Sequence, residues 1–334
     1  MTAQAGAAET GPGPAADPVR IGVLGCASIA RRRMLPAFRA SAAIRLAAVA
    51  SRDRERAEAT AAEFGCRGVH GYGELLARDE IEAVYLPLPA ALIAPWAERA
   101  LRAGKHVLAE KPLTTDPGTA VRLFGLADAA GLVLTENVMF LQHSQHAAVR
   151  GLLTGPPLSF SAAFCIPARP AGDIRLSAAL DGGALTDAGF YPLRAAVQFL
   201  GGVELAGVVL RRPPGSEVDL SGDILLRTPQ GLGAHLSFGF GMPYRSTYEI
   251  ADTHQRYSVT HAFTPPADHC PVVRRSDAPD LVLPADDQVG NAVQAFADAV
   301  RQRRPNAPAA IIRTAQLIAG ARAAAVRSGF AGLQ

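Results

Sequence analysis

The 334-residue chain carries 33 Lys and Arg against 30 Asp and Glu, a formal net charge of +3, and 49% of it is hydrophobic. A balance so near neutral, with no aromatic-rich basic stripe, excludes nucleic acid as the expected partner, and no apolar run approaches the ~20 residues of a membrane span. The length accommodates two ordinary domains, and four scattered cysteines (Cys26, Cys66, Cys165 and Cys270) without a CxxC pair fit a reducing cytoplasm rather than a disulfide or zinc framework.

Residues 1–17 are rich in Ala, Gly and Pro and lack the basic and apolar regions of a signal peptide, so they read as a disordered leader. Val19 to Leu24 is a short apolar strand running into Gly25-Cys26-Ala27-Ser28-Ile29-Ala30 and a helical pattern through Ala40. A second strand, Ile44 to Ala50, precedes a charged helix from Asp53. A third, Ala83 to Leu88, ends in Pro87-Leu88-Pro89. The helix from Trp96 to Ala103 stops at Gly104, Val107 to Ala109 is another strand, and a helix over 117–130 and a strand over 132–135 follow. This alternation means a doubly wound parallel sheet, placed over 18–140.

After about residue 155 the pattern changes. Strands are expected over 157–166, 203–211, 222–228, 232–239, 247–251 and 256–263, with one helix from Gly183 to Leu200 and two more over 286–302 and 308–327. The simplest architecture for 141–334 is an α+β domain whose open, mostly antiparallel sheet carries helices on one face.

Gly25-x-Ala27-x-x-Ala30 lies between strand and helix, the position of a dinucleotide fingerprint. Gly25 permits the tight turn, Ala27 lets backbone approach the pyrophosphate, and Ala30 allows close helix–strand packing. The turn from Gly25 through Cys26, Ala27, Ser28 and Ile29, with Leu86 and Leu88 across from it, is assigned to the cofactor. An acidic residue usually holds a free ribose 2′-hydroxyl after the second strand; here Ser51-Arg52 stands instead, which favours a 2′-phosphate and hence NADP(H). Arg31-Arg32-Arg33 reads as a solvated helix face or a phosphate contact.

Lys111 ends the next apolar run, in Ala109-Glu110-Lys111-Pro112, where side chains enter the ligand crevice of such sheets. Its proline aims it, and desolvation is expected to lower its pKa. Glu136-Asn137 follows the end of the next strand, at the same edge, and is placed near the nicotinamide ribose or carboxamide, with Glu110 also assigned to the cofactor. Asp187 and Tyr191 are four apart and share a helix face, where an acid and a phenol could hold a sugar between them. The bland alternative is a half-buried tyrosine with Asp187 capping nearby backbone. His143-Ser144-Gln145-His146 lacks further ligands at metal spacing, and no metal is expected.

The Gly25 turn, the run Gly104-Lys105-His106-Val107-Leu108-Ala109-Glu110-Lys111-Pro112 and Gly182-Gly183-Ala184-Leu185-Thr186-Asp187 resemble the glucose–fructose oxidoreductase/inositol dehydrogenase (Gfo/Idh/MocA) family. The resemblance implies an N-terminal Rossmann domain, a C-terminal open sheet that packs into homodimers or homotetramers, and Lys111 as the catalytic lysine with Asp187 and Tyr191 as its companions. Where many members read Pro-Asn-x-x-His, this chain has Pro89 followed by Ala90, Ala91, Leu92 and Ile93.

Within the family, Val84-Tyr85-Leu86-Pro87-Leu88-Pro89, Glu136-Asn137-Val138-Met139-Phe140-Leu141, Gly172-Asp173-Ile174-Arg175 and Phe263-Thr264-Pro265-Pro266 look like sugar 3-ketoreductases of TDP-deoxysugar biosynthesis. That likeness implies NADPH-dependent reduction of the C3 ketone of a TDP-linked 3,4-diketo-2,6-dideoxyhexose. The substrate's diphosphate then needs cationic partners, for which Arg169, Arg175 and Tyr244 lie in suitable segments, with Thr264 and Arg33 as further candidates; Arg169 is also assigned to the cofactor. Two other readings stay open: an NADP-dependent dehydrogenase or reductase of a free sugar or cyclic diol, and a non-catalytic NADP-sensing regulator.

Overall fold

The computed structural model describes residues 17–327, so the expected leader up to residue 16 lies outside the described residues. The first half contains β1 (Val19–Leu24), α1 (Leu35–Ala40), β2 (Ile44–Ser51), α2 (Arg54–Phe64), β3 (Arg67–His70), α3 (Tyr72–Leu76), β4 (Ala83–Leu86), α4 (Ala90–Arg102), β5 (His106–Glu110), α5 (Pro117–Ala129) and β6 (Leu134–Asn137). The six strands form one parallel sheet in the order β3-β2-β1-β4-β5-β6. The order reverses between β1 and β4, which opens a crevice beyond their carboxyl ends. All four residues of β4 are buried, as a strand covered on both faces requires.

Local chemistry sets the helix starts. The Asp53 carboxylate accepts the Arg56 N–H at 3.2 Å and that of Asp116 accepts the Thr119 N–H at 2.6 Å, each satisfying a free donor of a first turn. Between the Gly25 turn and α1, Ala30–Met34 forms a π-helical turn, whose spacing a 3.6-residue pattern does not reveal. α4 begins at Ala90, six residues before the expected start, with Pro89 at its N-cap position and Pro95, a residue that usually breaks a helix, inside it. The residues expected to form a loop there are its first turn. β3 and α3 were not expected: β3 buries only Val69 fully, too little to show a period.

The second half comprises α6 (Ser144–Leu152), β7 (Ser159–Ile166), α7 (Ala184–Asp187), α8 (Phe190–Leu200), β8 (Glu204–Arg211), β9 (Ser221–Arg227), β10 (Gly233–Phe240), β11 (Arg245–Ala251), β12 (Arg256–Thr260), β13 (Val272–Arg275), β14 (Leu281–Val282), α9 (Gln288–Gln302) and α10 (Ala309–Arg327). Its eight strands run in the order β14-β13-β12-β11-β7-β10-β9-β8, antiparallel except for the β7–β10 pair. α8 and α10 cover one face, over a core that includes Phe190, Phe238, Tyr248 and Phe263.

The single helix expected from Gly183 to Leu200 is two, divided at Ala188–Gly189. Gly189 lies so close to its neighbours that a Cβ there would meet the Leu185 carbonyl at 2.8 Å and the Phe238 ring at 3.1 Å. The chain also returns to the first half: α9 buries Val289, Val293 and Phe296 in the core that holds β1. Among the described residues no helix is long and apolar enough to cross a membrane.

Candidate active site

The carboxyl ends of β1, β4 and β5 and the loops after β7 and before β11 face one another across a cleft of about 560 Å³. On the parallel-sheet side, Gly25 has φ +119°, and a Cβ there would stand 3.3 Å from Leu88 and 3.5 Å from the Pro87 carbonyl. Backbone from β1 and β4 therefore converges as dinucleotide binding requires. Ala27, Ser28, Ile29 and Leu88 line the cleft. Cys26 is buried, and its carbonyl accepts from Arg56 Nη2 at 3.0 Å, tying the turn to α2. Leu86 is fully buried in the core, so only its backbone is near the crevice.

At the end of β2, the Ser51 hydroxyl accepts the Asp53 N–H at 3.2 Å, and the exposed Arg52 carries its guanidinium beyond the sheet edge near Tyr72. Ser51, Arg52, Gly25 and Cys26 do not line the main cleft; they flank the turn that enters it. The cradle at Gly25, the free first turn behind it and a cation at the β2 edge fit a dinucleotide carrying a 2′-phosphate.

The chemistry is concentrated where β5 ends. Lys111, joined to Pro112 by a cis peptide bond, donates from Nζ to Asp187 Oδ1 at 2.7 Å and to the Asp187 carbonyl at 3.1 Å. Nζ stands 4.6 Å from the centre of the Tyr191 ring, which is itself packed 4.5 Å from Phe164 and 5.7 Å from Phe263. The other Asp187 oxygen accepts from Arg175 Nε at 2.9 Å, and Arg175 is held in turn by Asp173.

Two expectations change here. Asp187 does not offer free oxygens to a sugar, because both are taken by cations. Nor is Lys111 lowered. Burial pushes its pKa down, but the Asp187 carboxylate, the neighbouring Tyr191 and the hydrogen bond to Asp187 outweigh it, and the pKa rises. The Asp187 pKa falls: burial opposes ionisation, and the Lys111 and Arg175 charges overcome it. Burial raises Tyr191, with Lys111 working against it. At neutral pH the cluster is thus an ammonium, a carboxylate and a neutral phenol.

Glu110 also borders the cleft, yet its carboxylate accepts from the Tyr85 hydroxyl at 2.6 Å and from Asn137 Nδ2 at 2.8 Å. It braces the strand ends, and burial raises its pKa. Asn137 borders an adjoining cavity of about 190 Å³ shared with Arg33, Lys111, Tyr191 and Thr264, and its Oδ1 is buried without a hydrogen-bond partner. Glu136 does not reach that space. It is buried, accepting the Leu113 N–H at 2.8 Å, and is a correction to the expected nicotinamide contact. His146 is a core residue, 3.2 Å from the Tyr248 hydroxyl, with its pKa pushed down to about 3 by burial.

Arg169, Tyr244 and Thr264 line the far wall, with the Tyr244 and Thr264 hydroxyls 2.9 Å apart. The Arg triplet divides: Arg31 pairs with Glu63, Arg32 lines the main cleft and Arg33 the adjoining cavity. In sequence Arg32 reads only within the triplet, as a solvated face or a phosphate contact, because the π-helical turn that separates its direction from that of Arg31 and Arg33 leaves no mark on the helical period. Phe164 and Met139, also in the wall, look like ordinary core residues in sequence.

A dinucleotide cradle facing a lysine–carboxylate–phenol cluster defines an oxidoreductase acting at a carbon–oxygen centre. The comparisons agree. Residues 19–138 match the oxidoreductase family with an NAD-binding Rossmann fold, and residues 146–259 match the Gfo/Idh/MocA C-terminal domain. The chain belongs to the Gfo/Idh/MocA family. A dTDP-3,4-didehydro-2,6-dideoxy-alpha-D-glucose 3-reductase from Actinomadura kijaniata is 50% identical over 293 residues, 85% of this chain and 88% of that protein. A reductase of the same name from Streptomyces violaceoruber is 48% identical over 326 residues, 92% of this chain and 95% of that one. Among solved structures, a 3-ketoreductase from Actinomadura kijaniata in complex with NADP and TDP-benzene superposes with a TM-score of 0.88 at 47% identity, covering 92% of this chain and 98% of that one.

Proposed function

We propose that this chain uses NADPH to reduce the C3 ketone of a TDP-linked 3,4-diketo-2,6-dideoxyhexose to the 4-keto-3-hydroxy sugar, a step of deoxysugar and antibiotic biosynthesis. The observation that carries it is the Lys111 ammonium, fixed by Asp187 and set over the Tyr191 ring in the cleft between cradle and far wall. Relatives about half identical over most of their length and bearing the name of this reductase support the substrate class.

NADPH supplies the hydride when bound. Gly25 to Ile29 receive its pyrophosphate, and Ser51 with Arg52 hold its 2′-phosphate. Lys111, kept charged by Asp187, hydrogen-bonds the C3 oxygen and stabilises the negative charge that develops there. The Tyr191 hydroxyl is the second donor, and one of these two groups passes the proton. Among the described residues lining the cleft, Arg32 and Arg169 are the cations not committed to carboxylates, and they take the diphosphate; Arg175 joins them if it leaves Asp187.

The four cysteines are unpaired, in keeping with a cytoplasmic setting. Val209 and Leu225 are exposed on the uncovered face of the β8–β9 end of the sheet, which suits packing against a second copy in a homodimer or homotetramer.

The test is NADPH oxidation with the TDP-diketo sugar generated in situ, with NADH and with free sugars in parallel. Rapid turnover restricted to NADPH and the sugar nucleotide is expected. Turnover of free sugars alone would replace this reading with the dehydrogenase one.

A further inference from the structure

The site is built from two halves of the chain, and its two donors come from opposite sides. Lys111 directly follows β5 of the parallel sheet, whereas Tyr191 lies in the first turn of α8. Something must fix the distance between them. The Lys111–Asp187 pair joins the halves inside the cleft, where ligands compete for it. A second, buried connection lies apart from the residues that line the cleft.

Glu136, on β6, accepts the Leu113 N–H through Oε1 at 2.8 Å, two residues beyond Lys111. Its other oxygen has no hydrogen bond and stands 3.6 Å from Arg194 Nη1. Arg194 follows Tyr191 by three residues in α8, so the two side chains leave neighbouring positions of one helical face. Arg194 Nη1 also donates to the Thr314 hydroxyl of α10 at 3.4 Å. The Arg194 and Glu136 side chains are 8% and 2% exposed, and each keeps a polar atom without a partner.

Such a pair is a poor source of stability. Desolvating two charges costs several kcal/mol each, and an apolar pair of like volume is often as stable or more so. Incomplete hydrogen bonding makes this one poorer still. What it does supply is a directional link from the segment that follows Lys111 to the helix that carries Tyr191. We propose that the Glu136–Arg194 pair is a positioning device for the reaction, a strut that sets the Tyr191 hydroxyl against the Lys111 ammonium. Neither residue lines the cleft or the adjoining cavity. This proposal rests on the reductase reading for its activity readout.

The test compares three proteins: the unaltered chain, R194M and E136Q/R194M. R194M leaves a buried carboxylate unpaired and is expected to lose thermal stability. In E136Q/R194M both charges are gone while Gln still accepts from Leu113 N–H, so stability should recover. The strut predicts that this double variant binds NADPH and sugar nucleotide within about threefold of the parent, yet loses about tenfold or more in kcat, since small misplacement of reacting groups costs on that order or more. A stable double variant with kcat within about twofold of the parent overturns the proposal, because the pair would then be structural only.

Amide exchange across 111–115 and 190–194 provides a readout that needs no substrate. Faster exchange in both segments together in the double variant supports the strut, and unchanged exchange in both contradicts it. If the unaltered chain fails to reduce the sugar nucleotide while the exchange result holds, the reductase reading falls and the strut stands.

Discussion

Lys111 and Asp187 stand 76 residues apart in the chain and meet in a 2.7 Å ion pair between β5 and α7. The pair reverses what burial alone would do to the lysine. It leaves a fixed positive charge where a carbonyl oxygen would gain negative charge, and this determines how the site answers to pH.

The Lys111 pKa is raised above its ordinary 10.5, so its contribution to stability is complete below that value and is lost as pH rises through the folded pKa. The Asp187 pKa is lowered below its ordinary 3.8, so its contribution is present above that value and is lost as pH falls through the folded pKa. Neither group titrates between about pH 5 and 9, and kcat should show no limb from either in that window. Asp187→Asn removes the main cause that raises Lys111 and leaves burial and Arg175 to lower it. The alkaline limb of kcat should move down. A variant profile superimposable on the parent's would show that Asp187 does not control the lysine.

Lys111→Ala should lower kcat by about 10²-fold or more, while NADPH affinity, measured by fluorescence titration, stays within about threefold. Tyr191→Phe keeps the ring among Phe164 and Phe263 and removes only the hydroxyl. Its sugar KM should hold, with the loss in kcat. Loss of NADPH binding in either variant would mean that these side chains build the cradle rather than the reaction centre.

Arg52 is the cation at the β2 edge. Arg52→Ala should weaken NADPH binding by about 10- to 100-fold, the range of a lost charge-assisted contact, and leave NADH binding unchanged. Equal loss for both cofactors would place Arg52 away from the 2′-phosphate.

The doubly wound parallel class of the first sheet and the location of Lys111 were legible because strands covered on both faces are near-continuous apolar runs, and the fingerprint turn marks where they begin; β3, with only Val69 buried, was not. The antiparallel strands could be located by alternation, as in β9, where buried and exposed residues take turns from Asp223 onward. What sequence hides is whatever depends on a distant partner. Asp187 and Tyr191 were placed together by their spacing, but the commitment of both Asp187 oxygens needs Lys111 and Arg175 to arrive from elsewhere. Glu136 was placed at the cofactor because it ends a strand. Its carboxylate instead turns to Leu113 N–H, a partner that no local pattern announces. Likewise, no local pattern announces that Phe238 of β10 comes so close to Gly189, where the helix divides, that a Cβ there would stand 3.1 Å from its ring.

Gly189→Ala tests that contact. The added methyl would press on the Leu185 carbonyl and the Phe238 ring. Stability to urea should fall by about 1–3 kcal/mol, the usual cost of overpacking. A neutral or stabilising effect would show that the surroundings of Gly189 yield to a methyl group.

The central claim is that hydride arrives at C3 while Lys111 and Tyr191 hold the C3 oxygen. The most direct measurement uses NADPH deuterated at the transferable position of the nicotinamide, the TDP-3,4-diketo sugar, and NMR of the product. One deuterium at C3, with the C4 ketone intact, is the predicted result. Deuterium at C4, or a reduced sugar carrying none, would contradict the account.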